Sequence, residues 1–230
     1  GQLCVLDQSL DTWHTYWKPN VNGSLLFKPG VAFVSFDIVD IDTMVLYYNT
    51  VGRTTTVVKV ERFNDGTEVL TNFFPSGICD TDVGEDITHC GGDLRVVGGA
   101  LYVFTGEGRA NNPHNADDVV AQNIASANGK VWRIPLDAPN HHPRMIASGL
   151  RHPWSVAFDN ITQTFQIADV GDALFEEVNF VSRLALDSTV LNFGWPLFEA
   201  RMPVRAWRCT HTETHSVLSF PDIVQSHDCP

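Results

Sequence analysis

The chain has 230 residues, 43% of them hydrophobic and 18% charged, and a formal net charge of −12. That length allows one large β domain or two small ones. The negative charge argues against a nucleic-acid surface, and no apolar run reaches the ~18 residues that a membrane-spanning helix needs.

In chain order, β-branched or alternating runs predict strands at Val31–Phe36, Met44–Tyr48, Thr54–Phe63, Leu94–Val97, Ala100–Thr105, Lys130–Ile134, Ser155–Phe158, Thr164–Ala168 and Glu177–Val181. Turn chemistry separates them: Asn64-Asp65-Gly66, Gly98-Gly99, Asp137–Pro139 and Asp159-Asn160. Asn115–Ala127 is the stretch considered for a short helix. The expected class is therefore all-β. Strand clusters recurring every ~40–50 residues favour a β-propeller over a sandwich or barrel. Residues 1–200 are read as propeller blades. Residues 201–230 lose the strand rhythm and carry three histidines and two cysteines, as a disulfide-tied extension or the start of a further blade would.

The five cysteines, Cys4, Cys79, Cys90, Cys209 and Cys229, form no C-x-x-C pair, which disfavours structural zinc. They are expected to form disulfides with one left over; Cys209 with Cys229 and Cys4 with Cys79 are plausible pairs. Sequons at Asn22-Gly23-Ser24 and Asn160-Ile161-Thr162 are compatible with glycosylation, so a secreted glycoprotein is expected. A metal site at His211, His215 and His227 would need a helix that the threonines around them disfavour.

Three segments can carry chemistry. Thr88-His89-Cys90-Gly91-Gly92-Asp93-Leu94 presents an imidazole ahead of two glycines, either as a general base near neutral pH or as a loop-lining residue. Gly149-Leu150-Arg151-His152-Pro153-Trp154 holds an arginine fork for a carboxylate or quinone oxygen, or an arginine stacked on a tryptophan. Asp169-Val170-Gly171-Asp172 with Phe175-Glu176-Glu177-Val178-Asn179 mixes carboxylates and turn carbonyls, either as ligands for a hard cation or as a solvated loop. Leu191-Asn192-Phe193-Gly194-Trp195-Pro196 reads as a structural aromatic turn.

Taken in order, these segments resemble the soluble PQQ-dependent glucose/aldose sugar dehydrogenases (the glucose/sorbosone dehydrogenase family), with the propeller of hedgehog-interacting protein as a non-enzymatic relative. The family pattern H-x-G-G-x-L, L-Y-V-x-x-G-D, G-K-x-x-R-I, G-x-R-N-P, D-V-G-x…E-E-I-N, N-Y-G-W-P is matched at His89–Leu94, Leu101–Glu107, Gly129–Ile134, Gly149–Pro153, Asp169–Asn179 and Asn192–Pro196. The match is strongest over residues 70–199. The resemblance implies a six-bladed propeller with the quinone over its central channel. It implies that His89 is the base that takes the proton of a sugar's anomeric hydroxyl while hydride passes to PQQ. Arg151 and His152 would contact the cofactor, the carbonyls of Gly171 and Asp172 would hold its Ca2+, and Glu177 would serve a second, structural calcium.

The departures from the pattern define an alternative. Thr88 stands where the glucose enzymes have aspartate, His152 replaces the asparagine of R-N-P, and Glu107 replaces aspartate. The glutamine, lysine and arginines that grip PQQ have no counterpart. The second reading is a non-catalytic secreted propeller acting as a structural, adhesion or interaction module. Because the match ends soon after Pro196, the expectation is a fragment, or a ring completed by another chain.

Overall fold

The computed structural model describes residues 3–7, 12–17, 32–49, 54–74, 76–78, 89–108, 120–137, 142–172 and 175–203. The chain divides into two compact units, Gly1–Asp80 and Thr81–Pro230.

In the first unit, β1 (Leu3–Asp7) and β2 (Thr12–Trp17) form an antiparallel hairpin. A four-stranded antiparallel meander follows, built from β3 (Ala32–Asp40), β4 (Thr43–Asn49), β5 (Thr55–Arg62) and β6 (Glu68–Asn72) in sequence order. Strands β4 and β5 are central and buried on both faces, which is why they read as nearly continuous apolar and β-branched runs. Met44, Leu46, Tyr48, Val58 and Val60 pack on one face with Leu70. The β5–β6 turn closes as its composition demands. Asp65 Oδ1 accepts from the Thr67 amide at 2.9 Å and from its hydroxyl at 2.7 Å, while Gly66 takes φ +81°, where a side chain would be strained.

The second unit contains β7 (Gly92–Val97), β8 (Ala100–Thr105), β9 (Lys130–Pro135) and β10 (Arg144–Ser148), another sequential antiparallel meander, with β14 (Leu191–Asn192) added parallel to β10. A third meander joins β11 (Pro153–Asp159), β12 (Thr164–Asp169) and β13 (Glu177–Ser182). Helix α1 (Arg183–Ser188) and the hairpin of β15 (Phe198–Glu199) and β16 (Met202–Pro203) complete the described part. Successive meanders, each with strands in chain order, are the blade arrangement of a propeller. The first strands of two successive sheets, β7 and β11, lie side by side. Buried Asp93 fixes that approach by accepting from the Val156 amide at 2.7 Å. Tyr102, Phe104, Ile146, Val156, Phe165 and Ile167 form the shared core of these two sheets, and Leu186 of α1 is buried in it.

All nine expected strands are present. Of the candidate helix at Asn115–Ala127, residues 115–119 lie outside the described residues, and the rest holds one 3₁₀ turn at 120–121 followed by turns. The helix is instead α1, capped where Ser182 Oγ accepts from the Ala185 amide at 3.2 Å.

The cysteine pairing needs correction. Cys90 is disulfide-bonded, so Cys4–Cys79 and Cys209–Cys229 cannot both form. Its Sγ lies 3.7 Å from the Gly108 carbonyl, a contact rather than a hydrogen bond because a disulfide sulfur has no proton to donate. Residues 204–230, including His211, His215 and His227, lie outside the described residues, as does Asn22. Among the described residues no helix is long and apolar enough to cross a membrane.

Candidate functional site

The site is built from three loops at the strand ends of the second unit. His89 precedes β7, Glu107 follows β8, and Arg151 and His152 precede β11. The Glu107 amide donates to the Arg151 carbonyl at 2.8 Å and the Gly106 amide to the Gly91 carbonyl at 2.7 Å, which locks the first two loops against the third. Glycine at 106 is required by close approach, since a Cβ there would sit 2.0 Å from the His89 carbonyl oxygen. His89 itself has φ +62°, a left-handed conformation that costs a non-glycine residue roughly 1 kcal/mol or more and tends to persist at functional positions.

His89 Nδ1 lies 3.2 Å from Glu107 Oε1. A carboxylate can only accept, so in the neutral imidazole the proton sits on Nδ1 and Nε2 keeps its lone pair. The other oxygen, Glu107 Oε2, accepts from the Trp195 indole N–H, which fixes the carboxylate plane. Trp195 is held in turn by the Gln122 amide, which donates to its carbonyl at 2.6 Å. Nothing local in the sequence pairs His89 with Glu107. The signal was the glutamate closing Leu101–Glu107.

Arg151 reaches the same carboxylate, with Nε 4.0 Å from Glu107 Oε1. Its terminal nitrogens are committed to the next turn: Nη1 donates to the carbonyls of Val170 at 2.9 Å and Gly171 at 2.7 Å, and Nη2 to Asp172 Oδ1 at 3.0 Å. The guanidinium also lies 5.2 Å from the centre of the Trp195 ring. The backbone of this turn is anchored by buried Asp169, which accepts from the amides of Arg151 at 3.0 Å and His152 at 2.6 Å. Burial pushes the Asp169 carboxyl up to about 7, against the pull of those two amides. His89, Arg151 and the carbonyl of Gly171, expected from the sequence to share one place, are therefore gathered together.

His152 stacks at a tilt on His89, with ring centroids 4.9 Å apart, and meets the exposed Trp154 edge-on at 5.4 Å. Its Nδ1 is buried without a hydrogen-bond partner. Burial first, then the neighbouring His89 and Arg151, push it down to about 4, so it is neutral in the folded state. The unfolded chain takes up this proton near pH 6.5, so the stability of the neutral ring is complete above that pH and is lost as pH falls toward 4. Asp169, raised in the fold, acts in the opposite direction over the same window. Urea midpoints at pH 7 and pH 4.5 should therefore show His152→Asn losing less stability on acidification than the parent chain. Equal losses would mean that His152 takes up its proton in the fold as readily as out of it.

Glu177 lies farther along, its oxygens accepting from the Ala200 amide and from the Asn179 side-chain amide. Glu199 accepts from the Asp172 amide. Arg151, Asp169, Gly171, Glu177, Trp195 and Glu199 line a cavity of about 10 Å3, room for one water at most. Among the described residues no three His, Cys, Asp or Glu side chains are gathered to hold a metal. Of the oxygens expected to bind calcium, the Gly171 carbonyl receives a guanidinium and both Glu177 oxygens accept amides, so this turn as it stands does not fit a calcium ion. The rings of His89 and His152, tilted by 32° to one another with Trp154 edge-on beside them, leave an aromatic face at the site but no single plane made by all three.

No protein-family model matches the chain. The HIPL1 protein of Arabidopsis thaliana is 31% identical over 140 residues, covering 48% of this chain and 19% of that protein. The HIPL2 protein of the same plant is 29% identical over 161 residues, covering 56% and 22%. A crystal structure of glucose dehydrogenase superposes with a TM-score of 0.52 at 16% identity, covering 86% of this chain and 57% of the other. The chain thus spans about a fifth of the curated relatives and little more than half of the solved enzyme. It has the β-sheet fold of that glucose dehydrogenase, whose group its motifs resemble, and in sequence it is similar to the HIPL proteins.

Proposed function

We propose that this chain carries the base-bearing part of a PQQ-dependent sugar dehydrogenase site on a propeller of the six-bladed type. The observation that carries the reading is the His89–Glu107 pair, a partly exposed imidazole whose inner nitrogen is tied to a carboxylate 3.2 Å away. That tie orients the ring and leaves Nε2 to accept a proton from a sugar's anomeric hydroxyl. As the proton moves onto Nε2, the imidazolium gains charge beside Glu107, which stabilises it where it forms. Bound PQQ would supply the hydride acceptor for the sugar carbon. His152 would hold its ring by stacking, with Trp154 at its edge, and Arg151 would fix Glu107 and the 169–172 turn behind the site. The Cys90 disulfide, together with an exposed sequon asparagine at Asn160 in the β11–β12 turn, supports a secreted, glycosylated protein.

A second reading is favoured by one observation. The guanidinium expected to meet the quinone spends its terminal donors on its own chain, as a scaffold residue would. On that reading the chain is a non-catalytic propeller module. Absorbance titration of the purified protein with PQQ, followed by dye reduction with aldoses, separates the two. Saturable, stoichiometric binding with sugar-dependent turnover is the expected result. No binding and no turnover would sink the dehydrogenase and leave the module.

A further inference from the structure

We infer that the guanidinium of Arg151 is a built-in substitute for a metal ion at the 169–172 turn, so that this turn is formed and held without calcium. The inference does not rest on sugar oxidation. Consecutive carbonyls at Val170 and Gly171, with the Asp172 carboxylate beside them, make an oxygen-rich concavity of the kind that takes a cation. Arg151 fills it with one nitrogen bridging both carbonyls and a second on the carboxylate, at 2.7 to 3.0 Å.

Three further contacts hold the arginine there. Asp169 receives the Arg151 and His152 amides, which sets the backbone from which the side chain departs. Trp195 covers the guanidinium face, and Glu107 stands on its Nε side. The turn is tightened from the far side as well. A Cβ at Gly171 would meet the Phe175 carbonyl oxygen at 1.7 Å, and the Gly171 amide donates to Glu176 Oε2 at 3.1 Å. A calcium ion would need to stand roughly 2.3–2.6 Å from the Gly171 oxygen. It would then share that oxygen with a guanidinium nitrogen already 2.7 Å away, in a partly desolvated place where like charges repel strongly. The two cations exclude one another.

The test is thermal unfolding of the whole purified chain in 1 mM EGTA and in 5 mM CaCl2, for the parent and two variants. The parent midpoint is expected to agree between the two buffers within about 1 °C. Arg151→Gln opens the concavity; its midpoint should fall by about 5–10 °C in EGTA and recover part of that loss in calcium but not in magnesium. Arg151→Lys keeps the charge but cannot bridge all three oxygens, so it should be modestly destabilised and indifferent to calcium. A merely structural arginine would not produce the gain of calcium response in the glutamine variant, so a folded Arg151→Gln without it overturns the inference. Should Arg151→Gln fail to fold, the parent decides. Saturable calcium binding by the parent in equilibrium dialysis, abolished by Asp172→Asn, overturns it, and its absence supports it.

Discussion

Replacing His89 by asparagine is expected to lower PQQ-dependent, sugar-driven dye reduction by about 10²–10⁴-fold in kcat, with KM for the sugar little changed. Asparagine fills similar space and can still bond Glu107, so the loss isolates proton acceptance at Nε2. Glu107→Gln probes the same step from behind. An amide can donate to Nδ1, which turns the imidazole toward the tautomer protonated at Nε2, and that nitrogen can then no longer take the substrate proton. Its kcat should fall by a similar order. Double replacement should cost little more than either single change, because the two residues act as one unit. An unchanged kcat in His89→Asn would remove the pair from catalysis and favour the module reading.

What the sequence revealed and what it hid follow one physical division. Strands β4, β5, β8 and β12 were legible because their alternation or β-branching is written along the chain itself. Strand β10 was not. Its register against β9 shifts between Met145 and Ala147, and that bulge breaks the two-residue period within five residues. Helix α1 is six residues long, too short for a 3.6-residue pattern; it exists because Ser182 caps it and Leu186 enters the core. In the site, the residue types at 89, 151 and 171–172 were legible, and so was their convergence, through the order of the motifs. Their partners were not. Glu107 reaches His89, and the carbonyls of 170 and 171 capture Arg151, only because the hairpins β7–β8 and β11–β12 bring together at their open ends residues 18 to 20 apart in the chain. An arginine read as a free fork is therefore a tethered one.

The largest stability loss is expected at Lys130, which makes no direct contact with His89 or Arg151. Its side chain is fully buried, and its ammonium donates to the carbonyls of Val120 at 3.0 Å, Ala121 at 2.9 Å and Asn128 at 2.6 Å. Lys130→Met keeps the length of the apolar stem but withdraws a charged donor from three carbonyls, two of which, Val120 and Ala121 of the turn that carries Gln122, keep only a single backbone amide. The cost should be about 2–4 kcal/mol, read as a fall in Tm of roughly 5–15 °C. Through Gln122 the loss reaches Trp195, and through Trp195 the carboxylate of Glu107, so the variant should also turn over sugar more slowly at temperatures where it remains folded. A pH series separates the lost hydrogen bonds from the buried charge. Burial pushes the Lys130 ammonium down to about 7 while the carbonyls favour its charged form. The unfolded chain then holds this proton up to about pH 10.5 and the folded chain releases it earlier, so this group adds stability as pH rises above 7. The gap in urea midpoint between parent and Lys130→Met should widen from pH 7 to pH 9.5. A constant gap would mean that the three carbonyls offset the burial entirely and that Lys130 stays an ammonium throughout.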